Sequence, residues 1–285
     1  MTDGSEDAKT WLAGVFDRAA PTYDRVGDAY HDYFGERLVE LAGVADGARV
    51  LDVACGRGAS LVPAARRVGG RGRVLGVDLS VEMVAAAAQE LTAAGVSGEA
   101  RVMDAEHLDL ADAAFDVALC GFGVFFFPDP EAAMAEVFRV VRPGGVVALS
   151  TWGVDDERWS WEDRLMASLE ARRRAIVRPF DDVADLSALL VGAGFVEASD
   201  RVEHRDVYLA DVEAWWDWKW SYSLRGVLEQ QDAATLEGLK RRAAECLQPY
   251  REASGIPCRL TANLVRARRP DRISQSGTGR RRRQA

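Results

Sequence analysis

Val50-Leu51-Asp52-Val53-Ala54-Cys55-Gly56-Arg57-Gly58 reads as a buried strand that runs into a tight turn and opens a helix. Small residues at Ala54, Gly56 and Gly58 let a ligand approach the backbone N–H groups at that helix N-terminus. Twenty residues past Gly58, at the tip of the next strand, stands Asp78, whose carboxylate can accept both hydroxyls of an adenosine ribose. Together the two features imply an adenosine-containing cofactor. A dinucleotide is disfavoured, because the third glycine of G-x-G-x-x-G is replaced by Leu61 and the helix carries Pro63. No Lys-Ser or Lys-Thr follows the turn, so a P-loop is absent. Asp52 puts a carboxylate near the bottom of the pocket, where it repels a pyrophosphate and attracts an amino-acid ammonium, directly or through water.

Outward from the turn the chain alternates. RVLDVA (49–54), RVLGVD (73–78), ARVMD (100–104), FDVALC (115–120) and VVALSTW (146–152) are short apolar or β-branched runs separated by Ala-rich stretches of helical period. Such alternation predicts a parallel sheet covered on both faces. Ser80 is placed to cap the helix that stops at Gly95, and Pro130 opens a helix ahead of a Pro143-Gly144-Gly145 turn. Residues 11–43 read as helices up to a Gly43 stop. After the fifth strand the pattern predicts an inserted helix over 157–177, a helix over 182–194 and a long strand over 195–209. An aromatic-rich helical stretch over 211–248 and a final strand over 256–269 follow. Residues 270–285 read as a disordered basic tail.

Composition narrows the function classes. With 285 residues, 48% of them hydrophobic and 28% charged, the chain can bury a large core and is not a disordered polymer. A net charge of −9 argues against nucleic-acid binding, which needs a basic surface. Cys55, Cys120, Cys246 and Cys258 lack metal or disulfide spacing, so no metal site is expected and a reducing cytoplasm fits. No apolar run approaches the ~20 residues that span a bilayer, and the acidic N-terminus has no signal-peptide pattern.

Six motifs in order carry a resemblance over roughly residues 14–152: FDRAAPTYD (16–24), VLDVACGRG (50–58), GVDLS (76–80), MDAEHL (103–108), FDVALCGFGVFFFPDP (115–130) and RPGG (142–145). The chain resembles the class I S-adenosylmethionine-dependent methyltransferases, in particular the UbiE-like group. The resemblance implies an α/β, Rossmann-like sheet of seven strands, mostly parallel with an antiparallel last strand. The expected organisation is an N-terminal helical lid (1–45), a methyltransferase domain (46–269) with cap insertions at about 154–180 and 209–253, and the tail (270–285). S-adenosylmethionine would be the cofactor and S-adenosylhomocysteine the product. By resemblance, Asp52, Ala54, Gly56 and Gly58 surround the methionine moiety, Asp78 holds the ribose, and Leu79 and Met83 pack near the adenine. Asp104 would bind the adenine amino group with Ala105 and Glu106 flanking it, and Cys120, Gly121 and Phe122 would pass beneath the sulfonium. Ala54 departs from the family, many of whose members have glycine there.

The remaining candidates carry alternatives. Tyr23, a catalytic candidate beside His31, is also read as contacting the cofactor carboxylate, closing over the site, or packing in a core. His31 is the candidate general base, against the favoured reading of a partly exposed surface histidine; His107 and His204 are not obvious bases. Cys55 and Cys120 read as packing residues, since no histidine is placed to activate them. Trp215, Trp216, Trp218, Trp220 and Tyr222 cannot share one helical face, which points to a cap or a contact between copies, with a substrate-facing subset.

Aromatic residues in the segments outside the sheet predict an apolar pocket and a hydrophobic small molecule as partner, with no nucleic acid and no membrane span. A homo-oligomer through the N-terminal helices or the Trp-rich cap is left open. The Ala, Arg, Val and Gly bias resembles actinomycete proteins, and enzymes of this type often serve natural-product pathways. Methyl transfer needs alignment more than acid–base chemistry. Three histidines make base-assisted O-methylation less compelling, and aromatic walls can stabilise a carbocation. C-methylation of a prenylated or terpenoid indole with later cyclisation, as in the teleocidin-type C-methyltransferases, is therefore the finer expectation. O-methylation, quinone-type C-methylation and a degenerate cofactor-binding scaffold are the alternatives.

Overall fold

A computed structural model describes residues 3–25, 29–154, 156–166, 169, 180 and 182–271. Seven strands form one sheet: β1 (Arg49–Val53), β2 (Arg73–Asp78), β3 (Glu99–Val102), β4 (Phe115–Gly121), β5 (Val141–Trp152), β6 (Val196–Leu209) and β7 (Ile256–Arg268). Their order is β3-β2-β1-β4-β5-β7-β6. The pairs β1–β2, β1–β4, β2–β3 and β4–β5 are parallel. β7 inserts antiparallel between β5 and β6, as the seven-strand expectation requires. Strand order reverses on either side of β1, which is where a crevice opens outside the strand C-terminal ends.

Helices cover both faces, which is why the central strands are apolar throughout. The first are α1 (Asp3–Ala19), α2 (Tyr30–Ala42), α3 (Leu61–Val68), α4 (Val81–Ala93) and α5 (Pro130–Val140). They are followed by α6 (Ser160–Met166), α7 (Val183–Gly192), α8 (Val212–Trp220), α9 (Arg225–Leu228) and α10 (Ala233–Leu247). α2 packs on β4 and β5, α3 and α4 on β2, α5 on β5, and α7 on β6 and β7. Phe34 and Leu38 of α2 meet a core containing Leu51, Leu119 and Leu149, all essentially inaccessible to water. The α1 helix packs on α4 and α9 and so lies outside the sheet, over its C-terminal edge.

Local signals account for the element ends. The Ser80 hydroxyl accepts the Met83 amide at the start of α4, and Asp129 caps α5, with Pro130 in its first turn. Gly43 ends α2 in a left-handed conformation that costs glycine nothing.

Three expectations are corrected. The helical N-terminal segment starts at Asp3 and breaks between Ala19 and Tyr30, where Pro21 cannot continue the helix. The Pro143-Gly144-Gly145 turn lies inside β5 as a bulge: Phe115 pairs with Val141, yet Val117 pairs with Val146. Its polar groups are satisfied by the end of β7, since the Gly144 amide donates to the Arg269 carbonyl and the Arg269 amide to the Gly145 carbonyl. The inserted helix begins as a single 3-10 turn, Glu157–Trp159, followed by the short α6; residues 167, 168 and 170–177 of that expectation lie outside the described residues. The 211–248 stretch is three helices, and the tail beyond Asp271 also lies outside the described residues.

Candidate active site

The turn after β1 is held open by backbone conformation. Ala54, Gly56 and Gly58 have φ of 54°, 50° and 101°, in the region that only glycine enters freely. Ala54 therefore stores strain of roughly 1–2 kcal/mol. A Cβ added to Gly56 would meet nothing within 4 Å, so the turn faces open space. Asp78 ties the turn to the second strand: its Oδ2 accepts the Gly56 amide and its Oδ1 the Ser80 amide, each at 2.9 Å. Burial pushes the Asp78 carboxyl above the usual range, although these amide hydrogen bonds oppose the shift.

Asp52 is 1% exposed and sits beneath the turn. Its two carboxylate oxygens have no hydrogen-bond partner of normal geometry; the Leu61 amide is the backbone donor that leans toward them. Burial, and then the Asp78 charge, push this carboxyl well above its usual range. A buried acid left in that state is a waiting acceptor for a cation.

Beside the turn lies a cavity of about 100 Å³ that carries Asp78, Leu79, Met83, Asp104, Ala105 and Glu106 on its walls. The α1 helix closes it. Lys9, a residue that the sequence reading passed over, is 7% exposed and pairs with Asp104 at 2.7 Å and Glu106 at 2.5 Å. Burial alone would raise the Asp104 carboxyl, but hydrogen bonds from Lys9 and the Glu106 amide outweigh it and hold it below the usual range. Asp104, Glu106 and His107 lie close enough to hold a cation, and the Lys9 ammonium already takes that place. Asp17 accepts the Ser80 hydroxyl at 2.6 Å, and Arg57 donates to the Ala20 carbonyl at 2.6 Å. Four contacts thus fasten the N-terminal segment across the crevice.

Two more cavities adjoin it. One of about 460 Å³ runs from the glycine turn toward α2 and α3, and one of about 240 Å³ runs under α6 and α8. Tyr23 and Phe122 line all three. Phe122 has φ of 54°, and its amide is shared between the Ser150 carbonyl and hydroxyl at 3.1 and 3.2 Å. Non-glycine residues in this conformation cost of order 1–3 kcal/mol and gather at functional sites. Its ring stacks on Trp152 at 4.1 Å.

His31 stands at this junction, 7% exposed, which corrects the surface reading: α2 turns it inward between Tyr23, Tyr30 and Trp152. His31 Nδ1 lies 3.0 Å from Asp24 Oδ1, and Nε2 lies 3.2 Å from the Tyr23 hydroxyl. An ionised carboxylate only accepts, so Nδ1 carries the proton and Nε2 is left as a proton acceptor. Burial, followed by the charges of Asp24 and Asp78, pushes the Tyr23 phenol up and keeps it protonated.

The other candidates fall as follows. Cys120, Gly121 and Phe122 form the end of β4 and its exit, where burial pushes the Cys55 and Cys120 thiols up and leaves both inert. His107 is an exposed neighbour of Asp104, and His204 faces Thr261 at the far edge. In the tryptophan group, Trp215 is fully buried and Trp218 lines the 240 Å³ cavity with its indole N–H on the Tyr30 hydroxyl at 2.8 Å. Asp24, Lys219 and Glu162 also escaped the sequence reading. Asp24 had a signal, its place beside Tyr23 in FDRAAPTYD; Lys219, among five aromatic residues, had a fainter one.

Comparison with known proteins agrees with this geometry. A methyltransferase-domain family model matches residues 50–145. Nocamycin O-methyltransferase of Saccharothrix syringae is 32% identical over 228 residues, 74% of this chain and 81% of that enzyme. Aklanonic acid methyltransferase of a Streptomyces species is 37% identical over 144 residues, 50% of this chain and 66% of that enzyme. The fold recurs in BH2331 of Bacillus halodurans at TM-score 0.59 and 23% identity, over 83% of this chain and 98% of that one. Among the described residues no helix is long and apolar enough to cross a membrane. With the strained small-residue turn, the acid at the second strand tip and this relationship over most of its length, the chain belongs to the class I S-adenosylmethionine-dependent methyltransferases.

Proposed function

We propose that the enzyme methylates an oxygen atom of a hydrophobic small molecule in natural-product metabolism, with His31 as general base. The observation that carries this reading is the Tyr23–His31–Asp24 chain, in which Tyr23 lines all three cavities and His31 lines the 460 and 240 Å³ ones. Two relatives act on such compounds by name, one as an O-methyltransferase and one on an acid.

The residues fit S-adenosylmethionine. The unpartnered oxygens of Asp52 suit the ammonium of its methionine portion, and the amides of 54–58 suit that portion's backbone-like groups. Asp78 retains lone pairs for the ribose hydroxyls. Leu79 and Met83 would flank the adenine, Asp104, Ala105 and Glu106 would meet its edge, and Cys120–Phe122 would run beneath the sulfonium. When bound, the cofactor supplies an electrophilic methyl group. Residues 1–45 act as a lid in this reading, fastened through Lys9, Asp17 and Arg57.

Asp24 fixes the imidazole tautomer, and Nε2 takes the acceptor's proton as the new carbon–oxygen bond forms. An acceptor hydroxyl or carboxyl would displace the Tyr23 hydroxyl from Nε2. Phe122, Tyr30 and Trp152 exclude water and orient the acceptor's apolar body. The small number of histidines made oxygen methylation the alternative rather than the leading expectation; one buried histidine in the right place is sufficient.

Carbon methylation of a prenylated or terpenoid indole, with cyclisation afterwards, is the second reading. The ring wall of Tyr30, Phe122, Trp152, Trp159 and Trp218 favours it, since such faces stabilise a developing cation. The test is incubation with methyl-labelled cofactor and extracts of the source organism, followed by mass spectrometry and NMR of the labelled product. A methyl on oxygen, lost on His31→Ala, is expected; a methyl on carbon that survives this substitution overturns the first reading.

A further inference from the structure

At the end of the 240 Å³ cavity away from His31 stands a buried cation. Lys219 is 2% exposed yet lines the cavity wall. Its ammonium pairs with Glu162 Oε1, and Glu162 Oε2 accepts the Trp215 indole N–H at 3.0 Å. Both oxygens of Glu162 are thus engaged. The Tyr222 hydroxyl takes a second N–H of Lys219, and the ammonium lies 3.8 Å from the Trp218 ring centroid. An ammonium has three donors, so one is left for the cavity. Burial alone would lower the proton affinity of this lysine; Glu162 and Tyr222 together outweigh burial and hold it above the usual range.

A buried ion pair is a poor stabiliser, since apolar residues of the same shape often do as well or better. Placed on a cavity wall it serves recognition. The other charged residues of that wall are already matched: Asp156 accepts from both the guanidinium and the amide of Arg158, and Arg259 donates to Asp206. Between the base and the cation lie two rings in sequence. His31 is 4.3 Å from Tyr30, the Tyr30 hydroxyl accepts the Trp218 indole N–H, and Trp218 carries Lys219 on its face. A ligand that spans this wall has a protic oxygen at one end, apolar rings in the middle and a hydrogen-bond-accepting oxygen at the other end.

We propose that Lys219 is a specificity residue that binds an oxyanion, carboxylate or enolate, on the part of the acceptor remote from the methylated atom. The substrate class is then a multi-ring hydrophobic acid. This inference rests on the reading of the cavity as the methyl-acceptor site.

The full chain, saturated with S-adenosylhomocysteine, is titrated with 2-naphthoate, 2-naphthylmethanol and 2-naphthylmethylammonium while tryptophan fluorescence is followed. Naphthoate is expected to bind at least about tenfold more tightly than the alcohol, with the ammonium weakest. In Lys219→Met the preference for naphthoate falls to within about twofold, and in Lys219→Arg, which keeps the charge, most of it remains. Affinity for S-adenosylhomocysteine, unchanged in both variants, reports that the fold is intact. His31→Asn leaves the probe ranking as it is while it abolishes methyl transfer, so failure of the base reading is distinguishable from failure of this one. Equal affinities in the wild-type protein, tighter binding of the ammonium, no binding of any probe, or a naphthoate preference that survives in Lys219→Met overturns the proposal.

Discussion

The proposed cofactor end and the proposed acceptor end of this site are held together by different means. At the cofactor end, backbone amides and carboxylates within one strand–turn–helix and the next strand tip do the holding, as in Gly56 N–H and Ser80 N–H on Asp78. At the acceptor end, side chains from α2, β5, α6, α8 and β7 converge from remote parts of the chain. Trp218 reaches Tyr30 across 188 positions and Trp159 reaches the Pro257 carbonyl across 98. A cofactor site made of main chain tolerates little change, because its shape is the conformation of the turn itself. An acceptor site made of side chains can be rebuilt residue by residue over an unchanged sheet, which lets one fold serve many acceptors. Among the described residues, Phe16, Tyr23, Phe122 and Phe126 line both the 100 Å³ and the 240 Å³ cavities.

The largest expected effect tests the first half of that contrast. Asp78→Ala removes the acceptor of two backbone amides as well as the proposed ribose ligand, and calorimetric affinity for S-adenosylmethionine should fall by at least about a hundredfold, some 3 kcal/mol. Unchanged affinity in a folded variant would refute its ribose role. Next comes His31→Ala, expected to lower kcat by about 10²–10⁴ while cofactor affinity stays within about threefold. A matched loss of cofactor affinity would mean that the two ends are not separable.

Smaller effects concern the fastening of α1. In Lys9→Met the Asp104 and Glu106 carboxylates lose their buried cation, and hydrogen exchange in α1 should rise several-fold with faster cofactor dissociation. The pH dependence has a defined sign. The folded Asp104 carboxyl lies below its usual range, so the latch contributes fully above the unfolded value of about 4 and is lost as pH falls through and below it. Exchange in α1 that is insensitive to acidification from pH 6 to about pH 3 would refute the latch. Smallest is Asp116→Asn, at the edge of the sheet opposite the site. Arg49 and Arg142 hold this carboxyl at about 2 against the opposing effect of burial. Because both arginines are largely exposed, the loss should be about 1 kcal/mol in chemical denaturation, with no change in cofactor affinity.

The contrast between the two ends also governs what could be read before the fold was known. Asp52, Gly56, Gly58, Asp78 and Asp104 stand at fixed spacings within contiguous motifs, and a local motif keeps its geometry wherever it occurs. Strand identities followed in the same way from apolar runs between helical stretches, with ends within two residues except for β5, which begins five residues earlier than its apolar run. His31 was misread because its burial depends on Trp152 and Phe122, more than 90 positions away, and nothing in YHDYFGERL shows which face of that helix meets the sheet. The bulge at 142–145 escaped notice for a related reason: Pro143-Gly144-Gly145 is a turn by composition, and only pairing with Arg269 makes it part of a strand. Lys9 looked like one more charge in a polar N-terminus until α1 folded over two carboxylates.

The sequence by itself determined the parallel sheet, its glycine turn and the chemistry of the cofactor, since these rest on residue types at short spacings and on backbone freedom that only small side chains allow. Tertiary structure alone decided that His31 is buried between Asp24 and Tyr23, that Lys219 lines a cavity wall and that the N-terminal helix is held to Asp104 and Glu106 through Lys9. Those roles arise from burial and from contacts between segments far apart in the chain, and burial sets both the protonation of a side chain and what it can touch.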